Sequence, residues 1–84
     1  MTRGACLCGT VQYAFGAPFQ MMAHCHCSMC RKHHGAPFVT FVGAPLDSFR
    51  WLAGEDAVLK YASSEHGVRS YCKQCASVAP TLMR

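Results

Sequence analysis

Three groups of cysteine carry the chemistry available to this 84-residue chain. Cys6 and Cys8 form a C-x-C pair, Cys25, Cys27 and Cys30 a C-x-C-x2-C triplet, and Cys72 with Cys75 a C-x2-C pair. Thiolates so closely spaced are metal ligands, because one turn can aim two sulfurs at one ion. A closed tetrahedral zinc site takes four ligands, typically as two close pairs from separate turns. Cys6, Cys8, Cys72 and Cys75 supply such a set and would clip the two ends of the chain together, closing a long loop. The triplet then stands alone, and three thiolates plus one open position is the ligand count of a catalytic zinc. Four histidines surround it, His24, His26, His33 and His34. The spacing Cys30-x2-His33 equally permits a closed Cys3His site, so spacing leaves this centre either open or closed. Three thiolates lower the electrophilicity of their metal, which suits an incoming soft ligand better than attack by hydroxide.

Redox chemistry is the competing use of these residues. Seven cysteines is an odd number, they fall in clusters, and "MTRGACLCGTVQ" has no apolar stretch of the signal-peptide kind. The expectation is reduced, metal-bound thiols in a cytoplasmic chain rather than a secreted disulfide framework. No ferredoxin-type run of cysteines occurs, and "CKQC" lacks the βαβ setting of a thioredoxin-like motif. The formal charge of +4 treats every thiol as neutral. With all seven thiols ionised and two divalent ions bound, the balance falls to about +1. With no Lys/Arg run besides, this argues against a nucleic-acid partner. No apolar stretch approaches ~20 residues, which excludes a membrane-spanning helix.

The elements that must position the cysteines are short. A chain of this size buries only ~60 to 65% of the surface its unfolded form exposes, so metal cross-links are expected to supplement the core. Segments 10–15, 36–42, 49–53, 57–63, 68–72 and 77–83 are rich in β-branched and aromatic residues. Turn-forming stretches separate them, Gly-Ala-Pro at Gly16 and Gly43 among these. This pattern predicts an all-β fold with short turns and at most one helical turn, "SMCRKHH", opened by Ser28 and stopped by Gly35. Gly-Ala-Pro recurs at unequal intervals and reads as turn chemistry, not as a repeat. Residues 1–84 are expected to form one domain.

Taken together, "GACLCGTVQYAF", "CHCSMCRKHHGAPFVTF", "FRWLAGE" and "YASSEHGVRSYCKQCAS" resemble the family of glutathione-dependent formaldehyde-activating enzymes and centromere protein V, across almost the whole chain. The resemblance implies a mainly antiparallel β-tent fold stapled by two zinc ions. One would be held by Cys6, Cys8, Cys72 and Cys75, the other by Cys25, Cys27 and Cys30 with its fourth place open to the thiol of glutathione. The implied reaction joins glutathione, or a similar thiol, and formaldehyde into S-(hydroxymethyl)glutathione, that of a carbon-sulfur lyase. The alternative is a non-catalytic two-zinc binding or scaffold module, which the centromere branch makes reasonable.

Within that expectation His26 or His34 would shuttle the proton of the reaction. Arg31, Lys32, Arg50 and Arg69 are candidates to hold the carboxylates of a glutathione-like ligand, against the alternative of solvated surface charge. Phe38, Phe41, Trp51, Tyr61 and Tyr71 would line a pocket or fill the core. Two departures from the family pattern stand out. Ala76 takes the place after the last cysteine where relatives commonly carry glycine, and a positive φ there would strain it. The chain also stops at Arg84, where relatives continue through further strands. It is either a fragment of a longer product or a shortened variant with an edge strand exposed to homodimerisation.

Overall fold

Eight short strands and one helix account for most of the chain, in a computed structural model that describes every residue except Ala17 and Arg84. The strands are β1 (Thr2–Ala5), β2 (Gln12–Phe15), β3 (Met21–Cys25), β4 (Val39–Gly43), β5 (Arg50–Ala53), β6 (Val58–Ala62), β7 (Gly67–Cys72) and β8 (Val78–Met83). The helix α1 (Ser28–His34) lies between β3 and β4, and 3-10 turns at Leu46–Ser48 and Glu55–Ala57 flank β5. The strands form three antiparallel sheets ordered β1-β2-β5, β3-β4 and β6-β7-β8. The all-β, antiparallel expectation holds, and the helical turn expected at residues 28–34 is a seven-residue helix. Of the turn expected at Gly16-Ala17-Pro18, Ala17 lies outside the described residues.

Side-chain alternation explains the two faces of the first sheet. Tyr13 and Phe15 of β2 share one face, where Tyr13 packs against Phe49 at 6.0 Å and Trp51 at 6.3 Å between ring centroids. Across β1 and β2, Tyr13 pairs with Gly4, and its ring lies over the glycine where a Cβ would collide. β1 therefore accommodates a glycine that would otherwise weaken a strand.

The core is small and sits at the four-cysteine cluster. Cys6, Val11, Ala57 and Cys72 are buried together, with Trp51, Val58 and Cys75 packed against them. The chain wraps this cluster from the β1–β2 loop, the second 3-10 turn and the end of β7. β7 divides its side chains between two regions, because alternate residues point to opposite faces. Ser70 and Cys72 are buried on one face, whereas Arg69 and Tyr71 are half-buried on the other, towards α1.

β8 is irregular opposite Arg69. Val68 pairs with Leu82 and Ser70 with Ala79, so Pro80 and Thr81 together face a single residue of β7. This is a bulge, and an edge strand is where a residue without an N–H is tolerated.

Candidate metal centres

The first centre is built by two turns. Cys6 and Cys8 lie in the β1–β2 loop, which is closed by the Cys6 N–H donating to the Val11 carbonyl at 3.0 Å and the Gly9 N–H to the Cys6 carbonyl at 3.1 Å. Cys72 ends β7 and Cys75 follows in the turn to β8. The four sulfurs all lie within 4.8 Å of one another, with Cys6 Sγ 3.5 Å from Cys8 Sγ and Cys8 Sγ 3.9 Å from Cys72 Sγ. A tetrahedron of Zn–S bonds of about 2.3 Å has edges of about 3.8 Å, so the sulfurs stand close to where a tetrahedral ion would put them.

Backbone and hydroxyl groups complete this centre. The Val11 N–H donates to Cys6 Sγ at 3.3 Å and the Gln74 N–H to Cys72 Sγ at 3.4 Å. Ser77 Oγ lies 3.2 Å from Cys75 Sγ and accepts the Leu7 N–H at 2.9 Å, which ties the two turns together. These contacts favour thiolate at Cys6 and Cys75; at Cys72 the Cys75 N–H draws the pKa down, but burial and the Cys75 and Cys6 sulfurs raise it above its ordinary value. The contact with Val11 N–H holds Cys6 below its ordinary pKa, and Ser77, with the Cys8 N–H, draws Cys75 down to about 5.

Ala76 closes the Cys72–Cys75 turn in the left-handed region, with φ of 62°. Its N–H donates to the Cys72 carbonyl at 2.7 Å. This is the strained conformation expected of a non-glycine residue in this turn.

The second centre joins the end of β3 to the start of α1. Cys25 is the last residue of β3, Cys27 caps α1, and Cys30 lies in its first turn. Their sulfurs also lie within 4.8 Å of one another, and no histidine nitrogen or carboxylate completes the group among the described residues. The cap is Cys27 rather than Ser28: its sulfur accepts the Cys30 N–H at 3.3 Å. That bond, reinforced by the Cys30 and Cys25 sulfurs, brings the Cys27 thiol down to about 7. Burial, then the Cys25 and Cys27 sulfurs, push Cys30 up, and Arg69 opposes the rise. Gly35 ends the helix with φ of 63°, a conformation glycine adopts without strain. Two thiolate clusters that could hold metal ions are therefore present, one with four sulfurs and one with three.

The expected site residues divide around the second centre. His24 bonds Thr40 Oγ1 through Nδ1 at 2.9 Å and stands edge-on to Phe38, while His26 stacks on the same ring at 5.3 Å. His34 packs edge-on against His33 at 4.9 Å. Lys32, His33 and Arg69, with Met29, Tyr61 and Ser63, line a cleft of about 330 Å³ beside Cys30. A second cleft of about 260 Å³ is lined by Lys32, His33, Tyr71, Ala76 and Val78. Of the four candidate cations, Lys32 and Arg69 line these clefts; Arg31 and Arg50 do not. Of the five aromatics, Tyr61 and Tyr71 line them, Trp51 packs on the core, Phe38 underlies two imidazoles, and Phe41 is exposed on β4, outside both clefts.

Two features go beyond the sequence reading, in which His33 figured only as a residue that could close the triplet as its fourth ligand. His33 Nε2 is buried without a hydrogen-bond partner, and burial, then the charges of His34 and Arg69, lower its pKa. The Cys30-x2-His33 spacing places His33 near the triplet, one helical turn on, but the three-sulfur group closes without it. The other is the contact of Arg69 Nη2 with Cys30 Sγ at 3.6 Å, between residues 39 apart in sequence.

Comparison with known proteins agrees with this architecture. A family model described as glutathione-dependent formaldehyde-activating enzyme matches residues 1–83. A protein of Schizosaccharomyces pombe described as an uncharacterized lyase is 31% identical over 74 residues, which are 88% of this chain and 52% of that protein. The chain thus spans about half the length of that curated relative. No solved structure gives a significant match.

Proposed function

The chain belongs to the glutathione-dependent formaldehyde-activating family, and on that premise we propose that it joins glutathione, or a similar carboxylate-bearing thiol, to formaldehyde. The product would be S-(hydroxymethyl)glutathione and the reaction that of a carbon-sulfur lyase. The observation that carries this reading is the convergence of Cys25, Cys27 and Cys30 without a histidine or carboxylate in the group. The name of the fission-yeast relative, a lyase, agrees with it. Cys25, Cys27 and Cys30 would hold a zinc ion, which when bound would supply the acidity that makes a thiol available as thiolate at neutral pH. Cys6, Cys8, Cys72 and Cys75 would hold a second zinc with no place left open, a structural site.

The remaining work falls to protein side chains. A thiol sulfur attacks the carbonyl carbon, an S–C bond forms as the C=O π bond breaks, and the oxygen takes a proton. We assign proton exchange to His33 before His26 or His34, since of the three only His33 lines the clefts. Its lowered pKa keeps the ring neutral at pH 7, the form that accepts the thiol proton and returns it to the oxygen. The Lys32 amine, on the rim of both clefts, would meet a carboxylate of the thiol.

Thiols add to formaldehyde unaided, so the test is the exchange rate between glutathione and its hydroxymethyl adduct, measured by NMR with and without the zinc-loaded protein. Faster exchange that disappears on Cys27→Ser is the expected result. A rate equal to the protein-free control would contradict the assignment.

A further inference from the structure

The three-sulfur centre concentrates negative charge. Three thiolates around one divalent ion leave a net charge of minus one, and an incoming thiolate makes it minus two. Repulsion of this kind matters most where water is partly excluded, and Cys25 and Cys30 are both half-buried. Among the described residues, Arg69 is the cationic side chain that hydrogen-bonds to one of these sulfurs, donating from Nη2 to Cys30 Sγ at 3.6 Å. Its Nε–H donates to Ser63 Oγ at 3.0 Å, so the planar guanidinium is held at two of its edges. The bulge formed by Pro80 and Thr81 lies directly across from it, and bulges commonly re-aim a side chain beside a site.

We propose that Arg69 is a positioning residue for the three-sulfur centre, acting through Cys30. It fixes the Cys30 sulfur towards Cys25 and Cys27 and offsets the charge of the loaded centre. The inference rests on the reading of that centre as a metal site. It assigns Arg69 a role different from the carboxylate contact expected from the sequence. That contact is left to Lys32, which has no ion-pair partner among the described residues. A lysine at position 69 would supply charge without the two-edged fork, so it should replace Arg69 only in part.

The test uses the full chain loaded with Co(II), whose thiolate charge-transfer and ligand-field bands report each centre without reference to activity. Wild type, Arg69→Gln and Arg69→Lys are titrated with a competing chelator, the four-sulfur centre serving as internal reference for folding. The expected result is two cobalt ions per wild-type chain. In Arg69→Gln the second ion should be held about 10- to 100-fold more weakly while the first is unchanged, as for loss of a partner to a metal ligand. Arg69→Lys should fall between. In Arg69→Gln the spectral response of the second centre to glutathione and to neutral 2-mercaptoethanol should weaken alike.

Wild-type affinity at the second centre of Arg69→Gln would overturn the proposal. So would a variant that loses its response to glutathione alone, which would make Arg69 a carboxylate contact. If Arg69→Gln fails to load even the four-sulfur centre, Arg69→Lys decides on the same criteria. One cobalt per wild-type chain would instead overturn the metal reading of the triplet, and this inference with it.

Discussion

Ala76 donates its N–H to the Cys72 carbonyl from a backbone with φ of 62°. An L side chain in that region costs ~1 to 2 kcal/mol. Glycine there relieves the strain but gives the unfolded chain more freedom. Ala76→Gly should therefore stabilise the zinc-loaded protein by about 1 kcal/mol, raising its melting temperature by ~4 to 8 °C. An unchanged melt would contradict the strain. His33 supplies the second prediction at this scale. His33→Gln should slow thiol–formaldehyde exchange by about 100-fold, the lower end of general acid–base effects, while His26→Ala with His34→Ala should leave it near the wild-type rate. The reverse pattern would return the proton to one of those two residues. The cysteine groups and the strained turn were legible in the sequence because ligand spacing and turn geometry are local. The contact between Arg69 and Cys30 spans 39 positions and exists only once β7 is laid beside α1.

At the scale of elements, six of the eight strands coincide with the apolar segments read from the chain, and β1 and β3 do not. Strand β3 reads Met-Met-Ala-His-Cys, with no alternation to mark a strand. It is extended because β4 pairs with it in register, His24 opposite Thr40 and Cys25 opposite Val39. Strand β1 contains Gly4, whose place is filled by Tyr13 from the neighbouring strand. The N-cap shifts by one residue for a similar reason, since Cys27 sulfur rather than the Ser28 hydroxyl meets the first free N–H groups of α1. These assignments bear on the response to pH. Cys27 is drawn to about 7 and Cys75 to about 5, both from 9.0. A thiol with a depressed folded-state pKa contributes stability that is fully present above its unfolded value and is lost as pH falls through the folded one. Thiolate is also the metal-binding form. Acidification should therefore release metal from both centres as protons compete for the thiolates, the three-sulfur centre emptying before the four-sulfur one because fewer thiolates hold it. A chromophoric chelator would follow the two releases, and the opposite order would contradict the assignment.

For the whole molecule, the core and the four-sulfur centre are the same place, with Cys6 and Cys72 among its few buried side chains. Structural zinc contributes roughly 10 to 16 kcal/mol of apparent binding energy in small domains, against a net stability of about 5 to 15 kcal/mol for an ordinary domain. Removing that ion is thus expected to unfold the chain. Cys72→Ser should abolish the near-ultraviolet dichroism of the tyrosines and Trp51, whereas Cys27→Ser should preserve it; equal loss in both would contradict the division of labour. The central claim is that one thiolate centre is closed and the other open to a thiol. Zinc quantitation with zinc-edge X-ray absorption, in the presence and absence of glutathione, tests it most directly. The account predicts two zinc ions per chain and one additional sulfur neighbour at one of them when glutathione is added. A single zinc, or a second one already coordinated by histidine and unchanged by the thiol, would contradict it.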